Sequence, residues 1–276
     1  MSTTLPLAGV IGFPIAHSKS PKMHGLWLAQ NGIKGHYVPL AVSPDDFEQV
    51  LKQLPKMGFV GANVTIPHKV AALQLATQAT DRARQIGAAN TITFGENGEI
   101  YADNTDGHGF ITNIKSKYPD WSASTGPSLV LGAGGAARAV LSALLDDGAP
   151  QILIANRTRE NADRLAHEFG ESVTVIEWSD VPTQIANVAT LVNTTSLGMV
   201  GKPPMTLDLS QLKPETLVSD IVYTPLETDL LKTASDKGCK TVDGLGMLIY
   251  QGMPGFEKWF GATPVATDEL REMLLK

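Results

Sequence analysis

Residues 128–140 read SLVLGAGGAARAV, and this stretch decides the fold. An apolar run, Leu129 to Leu131, enters Gly132-Ala133-Gly134-Gly135-Ala136-Ala137. The pattern is G-x-G-x-x-G/A, with Ala137 in the third place. Gly132 permits a tight turn, Gly134 lets the backbone approach a pyrophosphate, and a small third residue lets the helix pack on its strand. The helix start that follows adds unpaired N–H groups and a positive dipole end. Taken alone, a glycine-rich turn can also be a packing turn that binds nothing. Strand, turn, helix and second strand in this order favour a dinucleotide site.

The second strand, within QILIANR (151–157), separates the two dinucleotides. Where an NAD site ends that strand with a carboxylate, this chain has Asn156, then Arg157, Thr158 and Arg159. A carboxylate would repel a 2′-phosphate, whereas guanidinium groups bond to it with charge assistance. The expected cofactor is NADP. Both arginines could instead be solvated residues at a helix start. That place is a poor one for uncompensated cations, which favours a bound phosphate.

Outward from this unit, VTVIEW, TLVNTTS, TLVSDIVY and KTVDG continue the alternation of strands and helices to about Gly244. SKYPDWSASTGP (116–127) is rich in turn formers and precedes the unit as a connector. A helix over about 106–117 leads into it. Upstream, LAGVIG (7–12), HYVPLAV (36–42) and GANVTI (61–66) read as strands around two helical patterns. Phe47, Val50, Leu51 and Leu54 recur at helical spacing, and Gly58 supplies a stop. This βαβαβ order predicts parallel strands. NTITF (90–94) and EIYAD (99–103) flank GENG as a hairpin. Helices over about 245–261 and 266–275 close the chain.

The expected fold is therefore α/β. A first domain, 1–106, has a mainly parallel sheet and is completed by the C-terminal helices 245–276. A Rossmann-type nucleotide domain spans 107–244, and the active site is expected in the cleft between the two.

The chain has 276 residues and a net charge of −6, which disfavours nucleic acid or an anionic membrane as the main partner. Cys239 is the only cysteine, so no intrachain disulfide, Cys-rich zinc site or CxxC motif exists. No spacing of metal ligands such as H-E-x-x-H occurs, so no metal is expected. The start, MSTTLPLAGVIGF, lacks a signal peptide's basic and long apolar regions. A cytoplasmic location is expected.

Polar residues of the first half gather at strand ends: HSKSP (17–21), NVTIPHK (63–69), AANT (88–91) and NTDG (104–107). In open α/β sheets ligands sit beyond those ends. Mostly neutral hydroxyls and amides suit a small polyhydroxylated molecule. Ser18 and Ser20 could hold a carboxylate with the following helix start, or Ser20 could be a plain N-cap before Pro21. Asn63, Thr65 and Asn90 could equally serve turns and caps. Hydride transfer to a ketone needs a proton donor, and Lys69 oriented by Asp106 can fill that role. His17, His24, His68 and His108 are rival proton carriers. His68 should point away from Lys69 if a helix has started there.

These residues together resemble the shikimate/quinate dehydrogenase family over nearly the whole chain. The resemblance rests on S-x-S-P (Ser18 to Pro21), N-V-T-x-P-x-K (Asn63 to Lys69), Asn90 of AANT and N-T-D-x-x-G (Asn104 to Gly109). It continues through GAGGA (132–136), NRT (156–158), N-T-T-S-x-G-M (193–199), D-x-x-Y (Asp220 to Tyr223) and G-L-G-M-L-x-x-Q (Gly244 to Gln251). The activity it implies is NADP-linked, reversible reduction of 3-dehydroshikimate to shikimate in chorismate and aromatic amino-acid biosynthesis.

The resemblance also implies residue roles. Ser18 and Ser20 would bind the substrate carboxylate, with Thr65, Asn90, Tyr223 and Gln251 as further substrate contacts. Lys69 and Asp106 would be the catalytic pair and also touch substrate. Asp81, Gly132, Ala133, Gly134, Gly135, Ala136, Asn156, Arg157, Thr158, Arg159, Ile221 and Gly244 would lie on the cofactor. The expected partner is the small-molecule substrate, shikimate or 3-dehydroshikimate, with no nucleic acid and no membrane, and the chain a monomer or a homodimer. Two departures stand out. Gly25 replaces the asparagine usual after the histidine of S-P-x-x-H, and some relatives carry an extra arginine at the place of Asn161. The quinate-using branch tends to prefer NAD and has an acidic residue after the second strand, where this chain has Arg157-Thr158. A quinate-using enzyme with broader cofactor use and a catalytically silent NADP-binding regulator remain the other readings.

Overall fold

The computed structural model describes residues 5–276; the first four residues of the leader reading lie outside the described residues. Contacts divide the chain into two compact units, one of residues 1–105 and 249–276, the other of residues 106–248.

In the first unit, β1 (Leu7–Gly12) leads into α1 (Ser20–Gln30), and β2 (His36–Ala41) into α2 (Phe47–Gln53). Pro55 turns the next residues, Leu54–Met57, into a 3₁₀ turn, and Gly58 ends it at φ 88°. There follow β3 (Phe59–Val64), α3 (Lys69–Gln74), β4 (Gln78–Ala79), α4 (Asp81–Ile86), β5 (Thr91–Phe94) and β6 (Ile100–Asp103). The sheet order is β2-β1-β3-β5-β6-β4. β2, β1 and β3 are parallel, as the βαβαβ order requires. β5 and β6 form the antiparallel hairpin, and β5 also runs antiparallel to β3. One core beneath this sheet joins Ile11, Val64 and Ile92 to Phe47, Leu51 and Leu54 of the α2 region.

The sequence reading carries the third strand to Ile66, but β3 ends at Val64. The Thr65 N–H still reaches Ile11 O at 2.9 Å, yet His68 N–H closes a turn on Thr65 O at 2.9 Å. Ile66 is 74% exposed, so it has left the sheet.

The second unit begins with α5 (Asp106–Lys117) and continues β7 (Ser128–Leu131), α6 (Gly135–Asp146), β8 (Ile152–Ala155), α7 (Arg159–Phe169) and β9 (Val173–Val175). After α8 (Val181–Gln184) come β10 (Thr190–Asn193), β11 (Leu217–Asp220), α9 (Asp229–Asp236) and β12 (Lys240–Val242). Every neighbouring pair in the sheet β12-β11-β10-β7-β8-β9 is parallel. That is the doubly wound order of a dinucleotide fold, with its switch point between β7 and β10. Strand alternation explains the layers: Val130 enters one core with Phe110, Val140 and Leu144, while Leu129 and Leu131 enter another with Val181, Ile185 and Leu230. VTVIEW is shorter than the sequence reading has it, because residues 178–180 turn into a 3₁₀ helix.

α10 (Gly244–Phe260) begins in the second unit and ends in the first, and α11 (Asp268–Leu275) follows. Within the first unit, Trp259 Nε1 donates to Ile92 O at 3.0 Å. A Cβ at residue 61 would lie 1.9 Å from that nitrogen, so only glycine lets the helix press this closely on β3. No helix among the described residues is long and apolar enough to cross a membrane.

Candidate active site

In the first unit the polar residues form one buried, hydrogen-bonded block. Asn90 is 1% exposed. Its Oδ1 accepts from Thr105 N–H at 2.8 Å, Thr105 Oγ1 at 3.1 Å and Thr91 Oγ1 at 2.9 Å, and its Nδ2 donates to Gln251 Oε1 at 3.1 Å. Thr105 Oγ1 shares its single proton with Gln251 O, 2.8 Å away. The backbone carries the same tie: Val64 N–H bonds to Asn90 O at 2.8 Å and Asn90 N–H to Asp103 O at 3.0 Å. Buried polar groups need partners, and here each supplies the next.

Lys69 opens α3, and its carbonyl accepts from Ala89 N–H at 2.8 Å, which pins the helix start to the AANT segment. His68 is buried and points away from Lys69, as the sequence reading has it. It stacks on Phe47 at 4.4 Å and its Nε2 lies 2.8 Å from Val42 O. Thr65 packs beside β1, where a Cβ on Gly12 would lie 2.6 Å from Thr65 Cγ2. Asp106 follows Thr105 directly, is buried, and is the first residue of α5. Gly107 lets α5 approach α6, since a Cβ there would meet Ala139 O at 2.8 Å.

Ser18 is half-buried and Ser20 is buried. Ser20 is not the N-cap of α1: that place falls to Lys19, with no side-chain cap. The Ser20 N–H instead reaches Ser18 Oγ at 3.3 Å. Lys19 donates to Leu274 O and Trp27 Nε1 to Val265 O at 3.0 Å, so the C-terminal segment holds α1. Asp81 is fully exposed on α4 and pairs with Arg84 at 3.3 Å. His24 is wholly buried, and burial lowers its pKa to about 3.

Behind the block, Asp103 receives both Arg82 Nε at 2.7 Å and Arg82 Nη2 at 2.6 Å, with Thr80 Oγ1 at 2.8 Å and Lys258 Nζ at 3.3 Å. Burial raises this carboxyl, but the Arg82 fork, Thr80 and the two cationic charges outweigh it and bring the pKa to about 2. Asp103 also accepts from Asn104 N–H at 2.8 Å, so it braces the start of the NTDG segment.

In the second unit, Gly132 has φ 106°, and a Cβ there would meet Thr194 Oγ1 at 2.7 Å. The turn thus closes on β10 at the switch point. Gly134 is the N-cap of α6 with no side-chain cap, and a Cβ on Gly134 or Gly135 would meet nothing within 4 Å. Open space in front of uncapped helix N–H groups fits a pyrophosphate. Ala133 lies in this turn, Ala136 in the first turn of α6, and Ala137 is fully buried against the sheet.

Asn156 is a brace for this turn. Its Oδ1 accepts from Ala133 N–H at 3.1 Å and its Nδ2 donates to Thr158 O at 2.7 Å. The two arginines differ. Arg159 pairs with Glu177 and, at 3.5 Å, with Asp163. Arg157 is exposed, and among the described residues neither a hydrogen bond nor an ion pair engages it. Among the described residues, Arg157 is therefore the one of the two that stands as an uncompensated cation at this helix start.

Asp220 organises the segment that carries Ile221 and Tyr223. It accepts from Val222 N–H at 3.0 Å, Asn193 Nδ2 at 2.9 Å and Thr228 Oγ1 at 2.8 Å. Burial raises its pKa against these bonds. Burial likewise raises that of Tyr223. Gly244 sits against this segment so closely that a Cβ would lie 2.1 Å from Ile221 O. The sequence reading did not single out Asp103, Thr91 or Thr105 as braces; their signal is a polar residue inside a strand or at its end. Among the described residues no cluster of three or more His, Cys, Asp or Glu could hold a metal.

Three family profiles match the chain: "Shikimate dehydrogenase substrate binding domain" over residues 10–92, "Shikimate / quinate 5-dehydrogenase" over 114–221, and "Shikimate 5'-dehydrogenase C-terminal domain" over 244–272. A shikimate dehydrogenase (NADP(+)) from Roseobacter denitrificans is 59% identical over 273 residues, covering 99% of each chain. Shikimate 5-dehydrogenase from Thermus thermophilus, solved with NADP(H) and shikimate, has a TM-score of 0.85 and 35% identity, covering 99% of this chain and 98% of that one. Quinate dehydrogenase from Corynebacterium glutamicum, solved with NAD, has a TM-score of 0.91 and 31% identity, covering 98% and 99%. The chain belongs to the shikimate dehydrogenase family.

Proposed function

We propose that Lys69 and Asp106 are the proton-transfer pair of an NADP-dependent shikimate dehydrogenase. The reaction is the reversible reduction of 3-dehydroshikimate to shikimate, a step of aromatic amino-acid biosynthesis, and the setting is cytoplasmic. The observation that carries the residue roles is the bonding of the first unit. Lys69 O to Ala89 N–H and Asn90 Oδ1 to Thr105 N–H, each at 2.8 Å, bind the lysine, the amide and the residue before Asp106 into one block.

NADPH, when bound, supplies the hydride. The α6 start would hold its pyrophosphate and Arg157 its 2′-phosphate, and Ile221 and Gly244 would lie on the nicotinamide side. Asn156, Thr158 and Arg159 would shape the adenosine side, and Asp81 would be a further cofactor contact. Ser18 and Ser20 bind the substrate carboxylate. Thr65, Asn90, Tyr223 and Gln251 hold the hydroxyl-bearing ring. As the ketone carbon gains hydrogen, the Lys69 ammonium gives a proton to the oxygen, and the Asp106 carboxylate orients the lysine. In the reverse direction the same lysine, neutral, takes the proton. Residues 1–106 with 245–276 are the substrate domain and 107–244 the NADP domain.

Quinate is the second reading, since a quinate dehydrogenase shares the fold. Arg157 in place of an acidic residue favours NADP and with it the biosynthetic reaction. NADPH absorbance with shikimate and NADP⁺ tests the activity. Formation of NADPH with a higher specificity constant than for quinate or for NAD⁺ supports the proposal. Binding of NADP⁺ without NADPH formation would make the chain a silent NADP-binding regulator.

A further inference from the structure

We infer that Thr105 is a positioning residue for the substrate ring: its N–H sets which way the Asn90–Gln251 amide pair faces, and its hydroxyl clamps the Gln251 backbone. Thr105 is wholly buried. The two ends of a side-chain amide have nearly the same shape, so its neighbours decide which is oxygen and which is nitrogen. A backbone N–H can only donate, so the Asn90 atom 2.8 Å from Thr105 N is the oxygen. The other end of Asn90 is then a donor, and the Gln251 atom 3.1 Å from it is Oε1. With that oxygen turned to Asn90, Gln251 meets a hydroxyl-bearing ring through Nε2, as a donor to a hydroxyl oxygen.

The rest of the block has the same polarity. Asn90 O can only accept, so the Asn63 atom 3.2 Å from it is Nδ2, which also donates to Thr91 Oγ1 at 3.3 Å. Thr91 in turn gives its proton to Asn90 Oδ1 at 2.9 Å. At the far end Asn63 Oδ1 accepts from Tyr37 Oη at 2.7 Å, and the His24 ring stacks on that phenol at 3.8 Å. Two routes of donors, one through Thr105 and one through Asn63 and Thr91, thus end on the same oxygen.

The clamp answers a weakness of α10. Pro254 lies inside this helix and offers no N–H to the carbonyl four residues back, that of Tyr250. In the same turn Gln251 O receives the Thr105 hydroxyl at 2.8 Å, and the other acceptor within reach of that proton is Asn90 Oδ1 at 3.1 Å. One side chain therefore touches both members of the pair. A glutamine ordered before substrate arrives spares binding the entropy of ordering it. Loss of the hydroxyl should weaken shikimate about three- to tenfold. Thr105→Val removes the hydroxyl while keeping the branched shape and the backbone N–H.

The inference rests on the reading of Gln251 as a substrate contact, and the experiment separates the two. KM and kcat for shikimate, at saturating NADP⁺, are measured in the native enzyme and in Thr105→Val, Thr105→Ser, Gln251→Ala and the double variant Thr105→Val/Gln251→Ala. Gln251→Ala should raise KM about tenfold or more; an unchanged KM would overturn the Gln251 reading and with it the inference. Thr105→Val should raise KM about three- to tenfold and leave kcat within about twofold. Thr105→Ser keeps the hydroxyl and should stay within about twofold of the native KM. In the Gln251→Ala background Thr105→Val should add less than about twofold, because it acts through that side chain, whereas a merely structural role would add in full. A native KM in Thr105→Val, a loss confined to kcat through the neighbouring Asp106, the same loss in Thr105→Ser, or full additivity would overturn the role of Thr105 while leaving that of Gln251 standing. Asn90→Asp gives a second reading should Thr105→Val be unstable. Its carboxylate still accepts from Thr105 N–H but cannot donate to Gln251 Oε1, so in that background Gln251→Ala should again add less than about twofold. Full additivity there would overturn the inferred polarity.

Discussion

Asn90 Nδ2 donates to Gln251 Oε1 at 3.1 Å, joining residues 161 apart in sequence. The same asparagine takes three donors on its Oδ1, one of them the buried Thr105 N–H. A substrate contact built this way is also a structural keystone of the first unit. Asn90→Ala leaves that N–H without its partner, which costs about 1–3 kcal/mol. Urea denaturation should show a loss of that size, whereas a change under about 0.5 kcal/mol would mean water replaces the amide.

Arg157 and Arg159 should separate in kinetics. Arg157→Ala removes a cation that no described residue neutralises, so the specificity constant for NADP⁺ should fall about 10- to 100-fold while that for NAD⁺ changes little. Arg159→Ala removes a cation shared with Glu177 and Asp163 and should do less. Equal losses for both variants would contradict the assignment of the 2′-phosphate to Arg157.

His24 gives stability a pH dependence. Its pKa is about 3 in the folded chain against 6.5 unfolded, because burial excludes the charged form. Below 6.5 the unfolded state binds a proton that the folded state does not, so stability falls as pH drops from about 6.5 toward 3. The slope from this group is ~1.4 kcal/mol per pH unit. His24→Phe keeps a ring on Tyr37 and should flatten the fall between neutral pH and about pH 4.5, read from urea midpoints. An unaltered slope would place the titration elsewhere.

Gly25 lies exposed within α1, and a Cβ there would meet nothing within 4 Å. Gly25→Ala should stabilise the chain by ~0.5–1 kcal/mol, since alanine orders a helix at lower entropic cost. Thermal unfolding checks it, and activity should stay unchanged. A lower melting temperature would mean that α1 needs glycine there.

The doubly wound unit was legible in SLVLGAGGAARAV because its strand, turn and helix each carry a local physical signal. Short elements were not: β4 has two residues and α4 six, too few for any periodicity. GANVTI misled because Thr65 and Ile66 are β-branched, and their departure from the sheet is decided by the Thr65–His68 turn. Ser18, Lys69 and Asp106 stood out as residue types, but only the family pattern gave them roles. Tyr37 carried no signal at all: a tyrosine in a strand reads as core, and its hydroxyl finds its partner, Asn63, only through tertiary structure. Arg159 looked equivalent to Arg157 until Glu177, distant in sequence, came beside it.

The central claim is that Lys69 moves the proton. Steady-state kinetics of Lys69→Ala with shikimate and NADP⁺ test it most directly. Loss of a general acid–base group should lower kcat about 10²–10⁴-fold while KM changes far less. A variant that keeps near-native kcat would remove Lys69 from the chemistry and contradict the account.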